Sequence, residues 1–188
     1  MNANRGLRAG LLSCGIVLLL TVRAFGQPCD SVDQECEYYQ YGFTCYNVDS
    51  HFPVMQSFTP LLSWLCGVEL VLGPTHDTSD ITVRIQTSPV PYEGVVGSVT
   101  RTIEWQATDW IYFALPGVTL TPGATYYIFP TDDHGFLWCS GHPYCAYPGG
   151  SAYADGSPIE WDWCFRTYGD AATPATTMTW SALKSRYR

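Results

Sequence analysis

The sequence predicts an all-β protein, a two-sheet antiparallel β-sandwich of jelly-roll type stabilised by disulfides. Three observations predict it. From Pro53 to Gly169 apolar and polar residues alternate in period two, the spacing that sends successive side chains to opposite faces of a strand. Gly, Pro, Asp and Ser punctuate that alternation at roughly 8 to 12-residue intervals, and no helical period of useful length interrupts it. Seven of the eight cysteines follow an N-terminal segment that reads as an export signal, so they are expected to meet an oxidising compartment.

The export signal is residues 1–26: basic Arg5 and Arg8, an apolar run from Ala9 to Val22, then Ala24-Phe25-Gly26 ahead of Gln27. Leu11-Leu12-Ser13-Cys14 offers a lipoprotein box as a rival, but the more apolar half of the run follows Cys14, whereas lipid attachment should follow the hydrophobic region. Residues 27–52 form a leader dense in Cys and Tyr, whose final part, Tyr41 to Tyr46, is expected to join a sheet. Residues 53–170 are the sandwich domain.

Within that domain Val68, Leu70 and Leu72 are expected inward with Glu69 outward, and Ile81, Val83 and Ile85 inward with Thr82, Arg84 and Gln86 outward. Val99 and Ile103 share one face, as do Ile111, Phe113 and Leu115; Thr125 to Phe129 is a further strand. Trp161 to Tyr168 is the last, with Trp163, Phe165 and Thr167 on one side. Gly73-Pro74, Pro89 to Gly94, Pro116-Gly117 and Pro122-Gly123 read as turns between them. Residues 171–188 are a Thr/Ala/Pro linker and a short basic tail in which Trp180, Leu183 and Tyr187 fall on one helical face, too short to hold a helix without a partner.

Charge narrows the partners. Without the three arginines of residues 1–26, six Lys and Arg remain against 17 acidic residues, a formal charge of −11. Such a surface repels polyanions, so nucleic acid is excluded as a partner. No further apolar stretch approaches the ~20 residues of a membrane-spanning helix, so an integral membrane protein is not expected either.

Several segments in a fixed order carry a resemblance. They are Gln56-Ser57-Phe58-Thr59-Pro60, Leu65-x-x-Val68-x-Leu70, Asp80-Ile-Thr-Val-Arg-Ile85, Trp110-Ile-Tyr-Phe113 and Leu120-Thr-Pro-Gly-Ala-Thr-Tyr-Tyr-Ile128. Pro143-Tyr144 with Gly149-Gly150-Ser151-Ala152-Tyr153 and Asp162-Trp-Cys-Phe-Arg-Thr-Tyr-Gly169 complete the set. Together they resemble secreted bacterial jelly-roll modules of the galactose-binding-like, carbohydrate-binding type, over about Met55 to Gly169. The resemblance implies a sandwich whose relatives commonly bind carbohydrate, sometimes with structural calcium. Cys66, Cys139, Cys145 and Cys164 depart from the pattern.

Asp132 to Pro158 is the longest region without regular alternation, and it holds Trp138, Tyr144, Tyr147 and Tyr153 among Gly and Pro. Aromatic rings stack on the apolar faces of sugar rings while carboxylates take the hydroxyls. Trp138, Tyr144, Tyr147, Asp132 and Asp133 are therefore the candidate ligand-binding residues; the alternative is that the rings cover the sandwich's open end. A calcium ion would draw on Asp155, Glu160 and Asp162, unless these are simply solvated carboxylates. Cys139 and Cys145 flank a Gly/Pro loop suited to a local disulfide, Cys29 with Cys36 is the other local pair, and a link from Cys45 to Cys66 or Cys164 would tie leader to body. Zinc on Cys139, His142 and Cys145 ranks below that disulfide, because no Cys-x-x-Cys exists.

No His-Glu-x-x-His or Gly-x-Ser-x-Gly is present, so the chain is expected to be non-catalytic. Weak glycan binding, outside the cell or at its surface, is the leading expectation. A structural surface or matrix module held by the basic tail is the alternative, and a glycoside hydrolase using two carboxylates the third.

Overall fold

The computed structural model describes residues 29, 31–36, 44–48, 53–104, 107–132, 134–140 and 146–170. Twelve strands occur among them: β1 (Val32–Cys36), β2 (Thr44–Val48), β3 (Val54–Phe58), β4 (Trp64–Pro74), β5 (Thr78–Gln86), β6 (Val95–Glu104), β7 (Asp109–Thr119), β8 (Tyr126–Thr131), β9 (Phe136–Ser140), β10 (Ala152–Ala154), β11 (Ser157–Pro158) and β12 (Phe165–Asp170). They make two antiparallel six-stranded sheets. The first runs β1-β12-β4-β9-β2 with β7 on the other side of β4, and the second β11-β10-β3-β8-β5-β6.

Four of the pairings are nested. β1 lies against β12, β3 against β10, β4 against β9 and β5 against β8, so the chain doubles back as one long antiparallel hairpin wrapped into two layers. Eleven-residue β4 is the spine of the first sheet. Its first half pairs with β12 and its last three residues with β9, and Cys164 bridges the junction through Val71 N–H to Cys164 O (3.4 Å) and Cys164 N–H to Cys139 O (2.9 Å).

The period-two pattern places the core as expected. Val68, Leu70, Leu72, Ile81, Val83, Ile85, Ile111, Phe113 and Leu115 are all buried between the layers. The turn signals are less faithful: Pro116-Gly117 sits inside β7 and Gly73-Pro74 ends β4. The segment from Asp132 to Pro158 is not one irregular loop, since it contains β9, β10 and β11. Asp155 and Gly156 join the last two, with φ of 47° and 73°, as a two-residue hairpin whose backbone is left-handed at both positions.

Both expected local disulfides are corrected. Cys139 is bonded to Cys45, which faces it directly across the β2–β9 ladder with Cα atoms 4.0 Å apart, and not to Cys145, which lies outside the described residues. Cys29 is bonded to Cys66, Cα atoms 5.9 Å apart, and not to Cys36. The physical reason is strand formation. The five extended residues of β1 alone span ~13 Å, far beyond a disulfide's reach, so Cys36 is carried away from Cys29. Cys36 is itself disulfide-bonded, and Cys164 is buried. The leader is thus cross-linked to the body, with Cys139 as the partner of Cys45 in place of Cys66 or Cys164. Such bonds belong to an oxidising, extracellular type of environment. Among the described residues no helix is long and apolar enough to cross a membrane.

Candidate functional site

The aromatic residues singled out in the loop region are core residues. Trp138 follows Phe136 in inward parity on β9 and is fully buried; its ring stacks on Trp163 at 5.1 Å and 19°, and its Nε1–H donates to Cys164 O at 3.1 Å. Tyr147 is buried with its ring edge-on to Phe165; its hydroxyl donates to Gln34 Oε1 (2.6 Å) and accepts from Thr59 N–H (3.3 Å). Neither presents a face for a sugar, which corrects their assignment as a stacking shelf. Asp132 is buried as well, while Tyr144 and Asp133 lie outside the described residues.

The carboxylates considered for calcium are dispersed. Asp162 is buried and accepts from Gln56 Nε2 (2.9 Å) and Tyr147 N–H (2.7 Å), whereas Asp155 occupies the β10–β11 turn and Glu160 is exposed. Among the described residues, three groups of metal-ligating type approach within 4.8 Å of one another at Cys29, Cys66 and Asp170, and two of those are disulfide sulfurs. The sulfur of Cys139 is likewise in a disulfide, which removes it from the Cys139, His142 and Cys145 zinc set; His142 lies outside the described residues.

Tyrosine rings that are not buried gather instead on the outward face of the second sheet, beside Phe129, Met55, Ser57 and Gln86, which are buried there. Strand alternation sends Tyr153 of β10, Met55 and Ser57 of β3, Tyr127 and Phe129 of β8, and Arg84 and Gln86 of β5 to that side. Register makes them neighbours: Tyr153 faces Met55, Ser57 faces Tyr127, Tyr127 faces Gln86 and Phe129 faces Arg84. Tyr127 and Tyr153 meet edge-on at 5.5 Å, both half-buried. At the other side of the patch Tyr92, 59% exposed, stands edge-on to Phe129 at 5.3 Å, with the Arg84 guanidinium 5.1 Å from its ring centre. Arg84 Nη1 also donates to Thr131 Oγ1 (2.6 Å).

Tyr92 is held there against a conformational cost. Its φ is 67°, a left-handed backbone that costs an ordinary residue ~1 to 2 kcal/mol. The β5–β6 loop that carries it is closed by Thr87 N–H to Gly94 O (3.0 Å) and Glu93 N–H to Val90 O (3.1 Å). From below, the fully buried Gln86 pins it through Nε2 to Ser88 O (2.6 Å) and Val90 O (3.0 Å), while Gln86 Oε1 has no hydrogen-bond partner. The result is a shallow row of rings with a guanidinium and hydroxyls beside them. It suits recognition of a ligand with flat apolar faces and hydroxyl groups, and it brings no pair of carboxylates together for acid–base chemistry.

The outward face of the first sheet is a different surface. Arg166 lies 4.1 Å over the Trp110 ring and is bracketed by Glu69 (Nη1, 3.3 Å) and Glu35 (Nε, 3.7 Å), its cross-strand neighbours. The Tyr168 hydroxyl donates to Glu69, and Tyr112 lies over Gly67, where a Cβ would strike its ring. These groups satisfy one another, so the face acts as a cover over Val71, Trp110 and the Cys45–Cys139 disulfide.

Burial raises the pKa of Tyr112, Tyr127, Tyr147 and Tyr168 above the usual phenol value, with Glu69 adding to the effect at Tyr112 and Tyr168. A group raised in the folded state adds stability that is whole below its unfolded value, near pH 10, and is lost as pH climbs through the folded value. Urea melts taken between neutral pH and about pH 11 are expected to show falling stability above about pH 10, in step with phenolate absorbance. Phenolate appearing at the free-tyrosine value with no loss of stability would contradict this.

Sequence reasoning missed Tyr92, Tyr127, Phe129, Arg84 and Gln86 as a site. The usable signal was Tyr127, a large ring on the outward parity of a strand whose inward parity is Tyr126 and Ile128; Phe129 shares the outward parity but is buried. No protein-family model matches the chain, and no curated protein matches it, so the site is read from its own geometry.

Proposed function

We propose that this chain is an exported, non-catalytic binding domain of the galactose-binding-like kind, which holds neutral carbohydrate weakly on the outward face of its second sheet. The observation that carries the reading is the set Tyr92, Tyr127 and Tyr153 with Arg84 at its side, in which an exposed tyrosine, propped on the buried Phe129, is maintained in a costly backbone conformation. Strain of this kind persists where surrounding structure enforces it, and it gathers at binding sites. The acidic balance of the body, three basic against 17 acidic residues from Gln27 to Asp170, supports a neutral ligand over an anionic one. Two or three stacked rings give millimolar affinity, worth ~4 kcal/mol.

Affinity electrophoresis through gels containing a panel of neutral polysaccharides tests the reading, with Tyr92→Gly as the site variant and Trp110→Ala as a control on the opposite sheet. Glycine relieves the left-handed strain at 92, so loss of stability is not expected to obscure the result. Tyr92→Gly is expected to weaken retardation about tenfold, a loss of ~1.4 kcal/mol, with Trp110→Ala unchanged. Retardation by none of the polysaccharides, or equal retardation by wild type and Tyr92→Gly, defeats the assignment.

A further inference from the structure

Two histidines and a buried carboxylate meet at one end of the sandwich, away from the aromatic face. His76 lies between β4 and β5, and His134 between β8 and β9. The two loops are fastened by Thr75 Oγ1–H to Gly135 O (2.6 Å) and by His76 Nε2 to His134 O (3.2 Å), and the two imidazoles stand edge-on at 5.7 Å. Asp132 directly follows β8. Continuing the parity of the buried Ile128 and Pro130, its side chain turns inward, where it is 1% exposed. Its Oδ1 is 3.9 Å from His134 Nδ1, and its Oδ2 is buried with no hydrogen-bond partner.

A carboxylate oxygen withdrawn from water and given no donor is strongly unfavourable unless a cation answers it. Ser79, three residues before the Thr82 that pairs with Thr131, has a buried hydroxyl that also lacks a partner, so this end of the interlayer space carries two unanswered oxygens. We infer that His76, His134 and Asp132 form a site for a divalent transition cation of the zinc class. Two imidazole nitrogens and one carboxylate oxygen are a borderline donor set that favours zinc over the all-oxygen shell of calcium. Two ligands of one tetrahedral zinc lie ~3.3 Å apart, so His134 needs to close on Asp132 by about half an ångström, and His76, whose nitrogens do not lie within 4.8 Å of both other ligand atoms, has to swing in as well. Its side chain is 68% exposed and free to turn, and His76 is exposed as well. When the ring of His76 turns to the ion it gives up its bond to the His134 carbonyl.

Zinc chloride titrated into the oxidised protein tests the site, read by melting temperature and by imidazole NMR signals. Wild type is expected to gain a melting-temperature increase that EDTA reverses, with the signals of His76 and His134 shifting together. His76→Ala and His134→Ala, both at exposed positions that leave the core intact, are each expected to weaken apparent affinity at least about tenfold, and the double variant to abolish the response. Calcium at equal concentration is expected to have no effect on those signals. The inference is overturned by no response to millimolar zinc, by an equal response in the double variant, by loss with only one of the two histidine variants, or by calcium acting as well as zinc. Carbohydrate retardation is a separate measurement, so failure here leaves the sheet-face proposal standing and failure there leaves this one.

Discussion

Trp138→Ala is expected to cost about 3 to 5 kcal/mol of folding stability, a large share of the 5 to 15 kcal/mol available to a domain of this kind. Three things are lost together. The indole fills the interlayer space against Trp163, and alanine leaves a cavity that two rigid sheets cannot collapse to fill. The Cys164 carbonyl loses the Nε1–H donor it has at the point where β9 and β12 meet beside β4. The stacked contact between the rings disappears as well. Urea denaturation followed by tryptophan fluorescence should show a lower midpoint with an unchanged slope. Glycan retardation measured well below that midpoint should be unaltered. A variant that stays as stable as wild type yet no longer binds sugar would place Trp138 in the site and out of the core.

That outcome separates what could be read from the chain from what could not. Ile81, Val83 and Ile85 were legible because strand parity is local: three apolar residues at two-residue spacing need no knowledge of their neighbours to be assigned to one face. Trp138 was not. Its strand is five residues long and is buried by β2 and β4 on either side, which leaves Cys139 as hidden as Trp138 and erases the alternation that marks a half-wet strand. An aromatic residue among Gly and Pro then looks like a loop residue. The disulfides failed for the same reason on a longer scale. Cys45 and Cys139 are 94 residues apart and are joined by a register that no local spacing encodes. The aromatic face lay between these cases: the outward parity of Tyr127 was legible, but its meeting with Tyr153 and the approach of Tyr92 to Phe129 depend on the strand order β10-β3-β8-β5.

The second large effect is expected at Asp162, where hydrogen-bond direction leaves no freedom. Trp163 N–H donates to Gln56 Oε1 (2.8 Å), Gln56 Nε2 donates to Asp162 Oδ1 (2.9 Å), and Tyr147 N–H donates to Asp162 Oδ2 (2.7 Å), all buried. Asp162→Asn preserves shape but replaces one acceptor with a donor. Whichever way the new amide turns, its NH2 faces either the Tyr147 N–H or the Gln56 amide nitrogen. Gln56 cannot answer by flipping, because its own NH2 would then meet the Trp163 N–H. One buried donor is left facing another, at a cost of about 2 to 4 kcal/mol, since the lost bonds were made to a charged group. Adding Gln56→Glu supplies a second acceptor at 56 and restores the donor order. Most of the loss should return, short by the bond that Gln56 Nε2 also makes to Ser57 O (3.0 Å). A double-mutant cycle by urea denaturation measures the coupling. Additive losses in the double variant would show that Asp162 acts through something other than this chain of donors. A loss in wild type on adding chelator, matching that of Asp162→Asn, would point instead to a cation at the carboxylate.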